Sequence, residues 1–363
     1  MAKRISVDRW LFVVTLLLVF VGLVMVFSAS AVMAKERYHS GYFFLLRQFG
    51  WAIAGFLAML AGMRIDYRRL KHPAVVSSLL GLTTLMLISV FFLDRAHHTH
   101  RWIHFGGFSF QPSELAKPVL ILFLAFFLEN RTKSMTDWRN TLIPAVLPTC
   151  VFVGLIVFQP DLGTAIACAS ITVCILFVAG LEVKYLAYAF MGSLLPLYFL
   201  IFHVAYRRDR ILAFLDPYSD PQGRGFHIIQ SLIAVSTGGL TGVGLMEGKE
   251  KLFYLPEPHT DFIFSVLGEE LGLLGCVTVV ILFALLLWRG LRTALRTDDL
   301  FGRFLAVGIT SMVVVQAFIN ISVVLGLMPT KGIPLPLISY GGSSLFITLA
   351  CIGVLLNITK QAE

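Results

Sequence analysis

The stretch WLFVVTLLLVFVGLVMVFSASAV, residues 10–32, carries no charged residue. A helix needs about 20 consecutive apolar residues to cross a bilayer core, and this run is long enough. It is too long for the apolar core of a cleaved signal peptide, so it is expected to be the first span. Further apolar runs follow at 45–63, 74–93, 114–129, 141–158, 162–180, 185–204, 261–288, 304–325 and 343–358. Together they predict an all-α polytopic membrane protein with about ten transmembrane helices. Two divisions are slight. Phe158-Gln159-Pro160-Asp161-Leu162-Gly163 reads as a tight polar turn, and Gly180-Leu181-Glu182-Val183-Lys184 separates the next pair.

Composition agrees. Of 363 residues, 57% are hydrophobic and 14% charged, where a soluble domain has roughly 25% charged. Mean hydropathy is +0.83. A soluble fold of this composition would lack the polar surface to face water, whereas a bilayer removes that demand. Residues 1–363 are expected to form a single transmembrane domain. Cys150, Cys168, Cys174, Cys276 and Cys351 all lie in apolar runs, their number is odd, and no Cys-x-x-Cys occurs. Neither a disulfide framework nor a zinc site is expected.

The net charge of +8 is explained by membrane topology rather than by nucleic acid, because Lys and Arg gather on cytoplasmic ends. With the N-terminus inside, the inner segments carry Lys3, Arg4, Arg9, Arg64, Arg68, Arg69, Lys71, Arg131, Lys133, Arg139, Lys184, Arg289, Arg292, Arg296, Arg303 and Lys360. Short outer loops carry Lys35, Arg37, Arg47, Arg95, Arg101 and Lys331. Ten spans place both termini in the cytoplasm, with a large extracytoplasmic loop of about 205–260 between helices 7 and 8. That loop holds Arg207, Arg208, Arg210, Arg224, Lys249 and Lys251, a positive surface in need of a role. Within it, 226–235 is too short to span and reads as a re-entrant or interfacial half-helix. The glycine-rich 236–248 reads as turns.

Charges at a membrane boundary are costly and usually functional. Four groups stand out, all on the outer side. Arg101 precedes Gln111-Pro112-Ser113-Glu114-Leu115-Ala116-Lys117. Glu114 and Lys117 share a helix face and can form a structural pair, or Lys117 and Arg101 can face an anionic substrate. In Gln159-Pro160-Asp161-Leu162-Gly163, Asp161 is placed as a helix N-cap. In Leu255-Pro256-Glu257-Pro258-His259-Thr260-Asp261-Phe262, Thr260 can cap the next span and put Asp261 in its first turn. Capping does not explain Glu257, His259, Asp261, Glu269 and Glu270 together. Finally, 328–344 contains three prolines, which forbid a continuous helix, then Gly341-Gly342-Ser343-Ser344. A helix starting near Ser343 offers backbone N–H groups to an anion; a gate or packing hinge is the alternative. Phe110–Leu115 faintly echoes Phe158–Leu162, a match short enough for chance or shared helix-start chemistry, with an internal repeat as the lesser alternative.

These segments (Phe110–Lys117, Gln159–Thr164, Leu255–Gly272 and Pro329–Ser344) resemble the SEDS family of shape, elongation, division and sporulation proteins over nearly the whole chain. Pro329-Thr330-Lys331-Gly332 and Gly268-Glu269-Glu270-Leu271-Gly272 lean toward the cell-division branch rather than the elongation branch. A sporulation paralogue would look nearly the same. The resemblance implies a ten-helix fold and peptidoglycan glycosyltransferase activity. The substrate would be lipid II, polymerised into β-1,4-linked glycan with inversion and loss of undecaprenyl pyrophosphate. It implies a class B penicillin-binding protein (the septal transpeptidase) and other divisome membrane proteins as partners, at the septum of a bacterial inner membrane. The family's essential aspartate falls on Asp261. Substrate-binding candidates are Arg101, Glu114, Lys117, Asp161, Glu257, His259, Lys331, Ser343 and Ser344. No cofactor is required by the sequence, though a divalent cation, Mg or Mn, is one candidate to bridge Asp261 and the leaving group. A helix N-terminus would lower the Asp261 pKa, whereas a base at neutral pH wants one nearer 7; desolvation or Glu257 would have to raise it. Two rival functions are a lipid II flippase, which needs midplane charges and inverted repeats, and a non-catalytic division scaffold. Both chain ends are short, which weakens the case for recruitment through a cytoplasmic tail.

Overall fold

The structure is a computed structural model that describes residues 7–93, 101–105, 108–132, 135, 137–252 and 254–361. Lys3, Arg4, Arg95 and Lys133 of the orientation argument lie outside the described residues. All ten apolar runs fall on helices: α1 (Arg9–Tyr38), α2 (Phe43–Arg64), α3 (Pro73–Leu93), α4 (Pro112–Leu128), α5 (Ile143–Phe158), α6 (Leu162–Val178), α7 (Val183–Phe202), α10 (Ile263–Arg296), α11 (Leu300–Val324) and α12 (Gly342–Gln361). Between α7 and α10 come two shorter helices, α8 (Ala205–Leu215) and α9 (Phe226–Thr237). A two-strand hairpin, β1 (Ile103–Phe105) with β2 (Phe108–Phe110), leads into α4. Nothing in the sequence announced it.

Among the described residues, eight helices are long and apolar enough to cross a membrane. Helices α4 and α6 have 17 residues each, about 26 Å at 1.5 Å per residue. Aspartates begin three of the helices: the carboxylates of Asp8, Asp161 and Asp299 accept the N–H groups of Leu11, Thr164 and Gly302 at 3.1 Å each. Such caps satisfy N–H groups that have no partner within the helix.

Lipid is as apolar as leucine, so helix association in a bilayer rests on close packing rather than on hydrophobic burial. Helices α2 and α12 show this. A Cβ on Gly62 would lie 3.1 Å from the Gly353 carbonyl carbon, and one on Gly55 would lie 2.7 Å from Leu349. Helix α11 is the hub, buried along most of its length from Phe301 to Val324, whereas α7 has no buried residue at all.

Helix α10 runs well past the expected end near 288, and it is broken. Gly272 has φ 64° and ψ −164°, a backbone state essentially confined to glycine. The loop that follows α9 repairs the break. Gly239 and Leu240 carbonyls accept from Leu273 and Leu274 at 2.9 and 3.2 Å, and Val243 and Gly244 N–H groups donate to Glu269 and Glu270 carbonyls at 3.0 and 3.1 Å. Irregular backbone inside a membrane protein is tolerated only where protein supplies the missing partners, and here it does. The loop's side chains are tied down too. Lys251 Nζ donates to Glu270 at 2.6 Å and to Ser28 Oγ at 3.0 Å, while Glu269 accepts from Lys249 N–H at 2.7 Å. Glu269 and Glu270 are therefore fastening points for the loop, not members of a site.

Candidate functional site

Two cavities open at one end of the bundle, and both reach Asp261. The larger, about 810 Å³, is lined by Arg47 and Trp51 of α2, Arg101, Glu114, Asp161, the Pro334–Ser344 side and Asp261. The smaller, about 530 Å³, is lined by Arg210 of α8, Arg224, His227 of α9, Thr330, Lys331 and Asp261. Glu257, Asp261 and Gly332 border both. Four segments far apart in sequence thus meet at one place, as their chemistry led us to expect.

Asp261 sits in a turn, not in the first turn of α10. The helix begins at Ile263, its N-cap is Phe262, and no side chain caps it. The Thr260 hydroxyl instead lies 3.3 Å from the Glu257 carbonyl, so the expected Thr260 cap is corrected. Glu257 adopts φ 50°, which turns the chain sharply ahead of Asp261. Burial pushes the Asp261 carboxyl up to about 7, and the Glu257 charge pushes the same way against Arg210 and Arg101. The expected lowering by a helix N-terminus assumed a place in the first turn of α10, which Asp261 does not occupy. A carboxylate near 7 is matched to taking a proton at neutral pH. Gly332 lies against it: a Cβ there would come 2.8 Å from Asp261 Oδ2.

Two cations face Asp261 across the smaller cavity. Arg210 Nη1 is 3.4 Å from the Thr330 carbonyl, and its pKa is lowered by burial. Lys331 is pulled down to about 8, by burial first and by the Arg210 charge second. Both are cations held where a bound anion would relieve desolvation and mutual repulsion together.

The remaining candidates divide. Asp161 is buried and does cap α6; its second oxygen also accepts from Thr164 Oγ1 at 2.8 Å and Gln111 Nε2 at 3.0 Å. It still borders the larger cavity, as do Glu114, Ser343 and Ser344. Arg101 lines that cavity while its guanidinium donates to the Gln159 carbonyl at 3.0 Å and to that of Pro160. Lys117 does not border either cavity. Its ammonium is buried on Glu114 at 2.9 Å and Gln316 at 2.6 Å, so the substrate-facing reading of Lys117 is corrected to a structural pair. His259 is corrected as well. It is buried with its ring 4.6 Å from that of Phe44 and 5.6 Å from that of Tyr340, and it borders neither cavity.

The positive surface of the long loop is mostly accounted for. Arg207 is buried and donates to the Leu200 and Val157 carbonyls at 3.1 Å each. Arg224 pairs with Asp209 at 3.2 Å, and Lys251 pairs with Glu270. Arg210 faces the site.

A model of the cell cycle protein family that takes in FtsW, RodA and SpoVE matches residues 8–363. The chain belongs to the SEDS family. "Probable peptidoglycan glycosyltransferase FtsW" of Geobacter metallireducens is 45% identical over 362 residues, covering 99% of this chain and 96% of its own. "Stage V sporulation protein E" of Bacillus subtilis is 43% identical, covering 99% of both. Among solved structures, a chain from "Structural coordination of polymerization and crosslinking by a peptidoglycan synthase complex" superposes with TM-score 0.81 at 34% identity, covering 98% of each chain. The rod shape determining protein RodA of Thermus thermophilus superposes with TM-score 0.71 at 30% identity, covering 98% of this chain and 97% of its own. This SEDS chain is therefore a multi-pass membrane protein.

Sequence reasoning singled out neither Arg210 nor the polar side chains of α11, Gln316 and Asn320. Arg210 stood in the basic loop with no spacing to set it apart from its neighbours. Gln316 and Asn320 are four apart in an apolar helix, a signal that one polar stripe faces protein. As for a metal, among the described residues no three His, Cys, Asp or Glu side chains gather as a ligand group. A magnesium-type cation needs only one or two carboxylates besides substrate phosphates, and Asp261 and Glu257, which border both cavities, are the residues that would hold one.

Proposed function

We propose that this protein is a peptidoglycan glycosyltransferase that polymerises lipid II. The observation that carries the reading is that two cavities of different character meet at Asp261, with Glu257 beside it. The smaller holds Arg210 and Lys331 and suits the pyrophosphate of a donor. The larger, with Trp51, Asp161 and Ser343 in its wall, suits the sugar of an acceptor. The acceptor's GlcNAc 4-hydroxyl attacks the anomeric carbon of the donor MurNAc. A C–O bond forms there as the bond to the α-phosphate oxygen breaks. Undecaprenyl pyrophosphate leaves with the electron pair, and inversion gives the β-1,4 link. Asp261 takes the hydroxyl proton, or orients it as the new bond forms. Arg210 and Lys331 stabilise charge that grows on the leaving group, an effect worth most in a water-poor site.

The names of the relatives support this activity. The synthase-complex neighbour supports a partner that cross-links, which we take to be a class B penicillin-binding protein within the division machinery. We read the chain as one domain over 1–363, crossing a bacterial inner membrane ten times with both termini in the cytoplasm and acting at the septum. The site then faces the outer leaflet, where a lipid-linked sugar is reached.

The test is polymerisation of labelled lipid II by the protein reconstituted with its transpeptidase partner. Asp261→Asn, folded normally, is expected to lose polymer on the order of a thousandfold or more. Polymer at the wild-type rate from that variant would remove Asp261 from the mechanism.

A further inference from the structure

Three consecutive backbone carbonyls carry the Asp261 turn, and each is held by a different donor. The Tyr340 N–H donates to the His259 carbonyl at 2.9 Å. Ser339 Oγ donates to the Thr260 carbonyl at 2.5 Å, and Asn320 Nδ2 donates to the Asp261 carbonyl at 2.8 Å. The same Asn320 Nδ2 donates to the Ile333 carbonyl at 2.7 Å. Both of its partners are acceptors, so the amide must present its NH₂ to them, and the alternative flip is chemically excluded. Its own Oδ1 is buried with no partner, a costly arrangement in a protein interior. Asn320 tolerates an unpaired acceptor in order to keep two donors on two carbonyls.

The consequence is one of register. Ile333 follows Lys331 and Gly332 in the proline loop, and Gly332 lies against the Asp261 carboxylate. Four residues before Asn320 on the same helix, Gln316 Nε2 donates to the Pro334 carbonyl at 3.0 Å. One stripe of α11 thus fixes the carboxylate-bearing turn and the cation-bearing loop to the same buried helix.

We propose that Asn320 is a positioning residue that holds Asp261 in register with the loop carrying Lys331, a role that rests on the glycosyltransferase reading above. Reactive geometry is steep: a displacement near 1 Å costs about 100-fold in rate. Released from the clamp, the Asp261 turn relaxes toward cavity water. The balance of Glu257, Asp161, Arg210, Arg101, Lys331 and His227 around it then changes, and its carboxyl becomes a stronger acid as desolvation falls.

The experiment uses the full chain with its partner and compares wild type, Asn320→Leu and Ser339→Ala. Two readouts are taken: steady-state polymerisation across pH, and the pH midpoint of carbodiimide labelling at Asp261, read by peptide mass spectrometry. For Asn320→Leu, kcat per folded molecule is expected to fall about 100-fold, with KM near wild type, as for an interaction made in the transition state. Both the acid limb of activity and the labelling midpoint are expected to move down by about one unit. Ser339→Ala is expected to move both the same way by less, and it decides the matter should Asn320→Leu not fold. A residue that only supports folding would lower the folded fraction and leave kcat per folded molecule and the midpoint unchanged; that result overturns the proposal. Absence of polymer from the wild-type pair would instead remove the glycosyltransferase reading, while the labelling midpoints still test the clamp.

Discussion

At the scale of a single residue, Asp261 is a carboxyl kept partly protonated near neutral pH. Its folded pKa of about 7 stands above the ordinary 3.8. The unfolded chain gives up this proton near pH 4 and the folded chain only near 7. Between those values the folded state binds more protons, so stability falls as pH rises. The contribution is fully present below pH 4 and lost as pH passes 7. Asp261→Asn removes the loss. We expect that variant to melt at a higher temperature than wild type at pH 8, with the gap closing at pH 5, in detergent-solubilised protein followed by scanning fluorimetry. Wild-type polymerisation should rise through pH 7 as the carboxylate forms. A variant that melts lower than wild type at pH 8 would show that Asp261 stabilises the fold instead. The residue and its position at the start of an apolar run were legible in sequence, but its place in a turn ahead of α10 was not. Neither was the direction of its pKa, because desolvation depends on what the fold packs around the turn.

At the scale of an element, α10 is decided by its kink. An unbroken helix would carry Glu269 and Glu270 deep among apolar neighbours as unpaired charges. The break at Gly272 lets the loop that follows α9 pair them. The Lys251–Glu270 bond at 2.6 Å is buried on both sides. Removing one partner of such a pair leaves an uncompensated buried charge and costs about 3–5 kcal/mol, whereas replacing both by apolar groups is often near neutral. Lys251→Met is expected to destabilise the protein by about 3 kcal/mol. The double variant Lys251→Met with Glu270→Met should recover at least half, measured as a double-mutant cycle in denaturant. Sequence reasoning grouped these acids with Asp261 because all lie within ten residues. Proximity along the chain could not show that the loop after α9 binds both carboxylates and that neither borders the cavities.

At the scale of the whole molecule, buried α11 and exposed α7 set the limits of tolerance. A Cβ on Gly308 of α11 would lie 2.4 Å from Ile121, so Gly308→Ala is expected to cost about 1–3 kcal/mol through overpacking. Leu194 of α7 is 47% exposed, and Leu194→Ala is expected to stay within about 0.5 kcal/mol. Chemical unfolding in micelles compares the two, and equal effects would mean that α7 packs as tightly as α11. The same contrast places the site. Of the groups that hold the Asp261 turn, Asn320 comes from the buried helix and Ser339 and Tyr340 from the loop before α12, while the cations facing it come from α8 and the proline loop.

The ten apolar runs, the turn at Pro160, the capping role of Asp161 and the short helix near 226–235 were all determined by sequence alone. Each rests on local physics: span length, a fixed φ, or a side chain within reach of its own backbone. Tertiary structure alone decided that Lys117 and His259 are packed away, that Arg210 faces the carboxylate, and that Asn320 clamps it. Those outcomes depend on which distant segments supply the neighbours of a polar group. A buried donor or charge must find its partner wherever the fold brings one, and the spacing of residues along a chain does not record that.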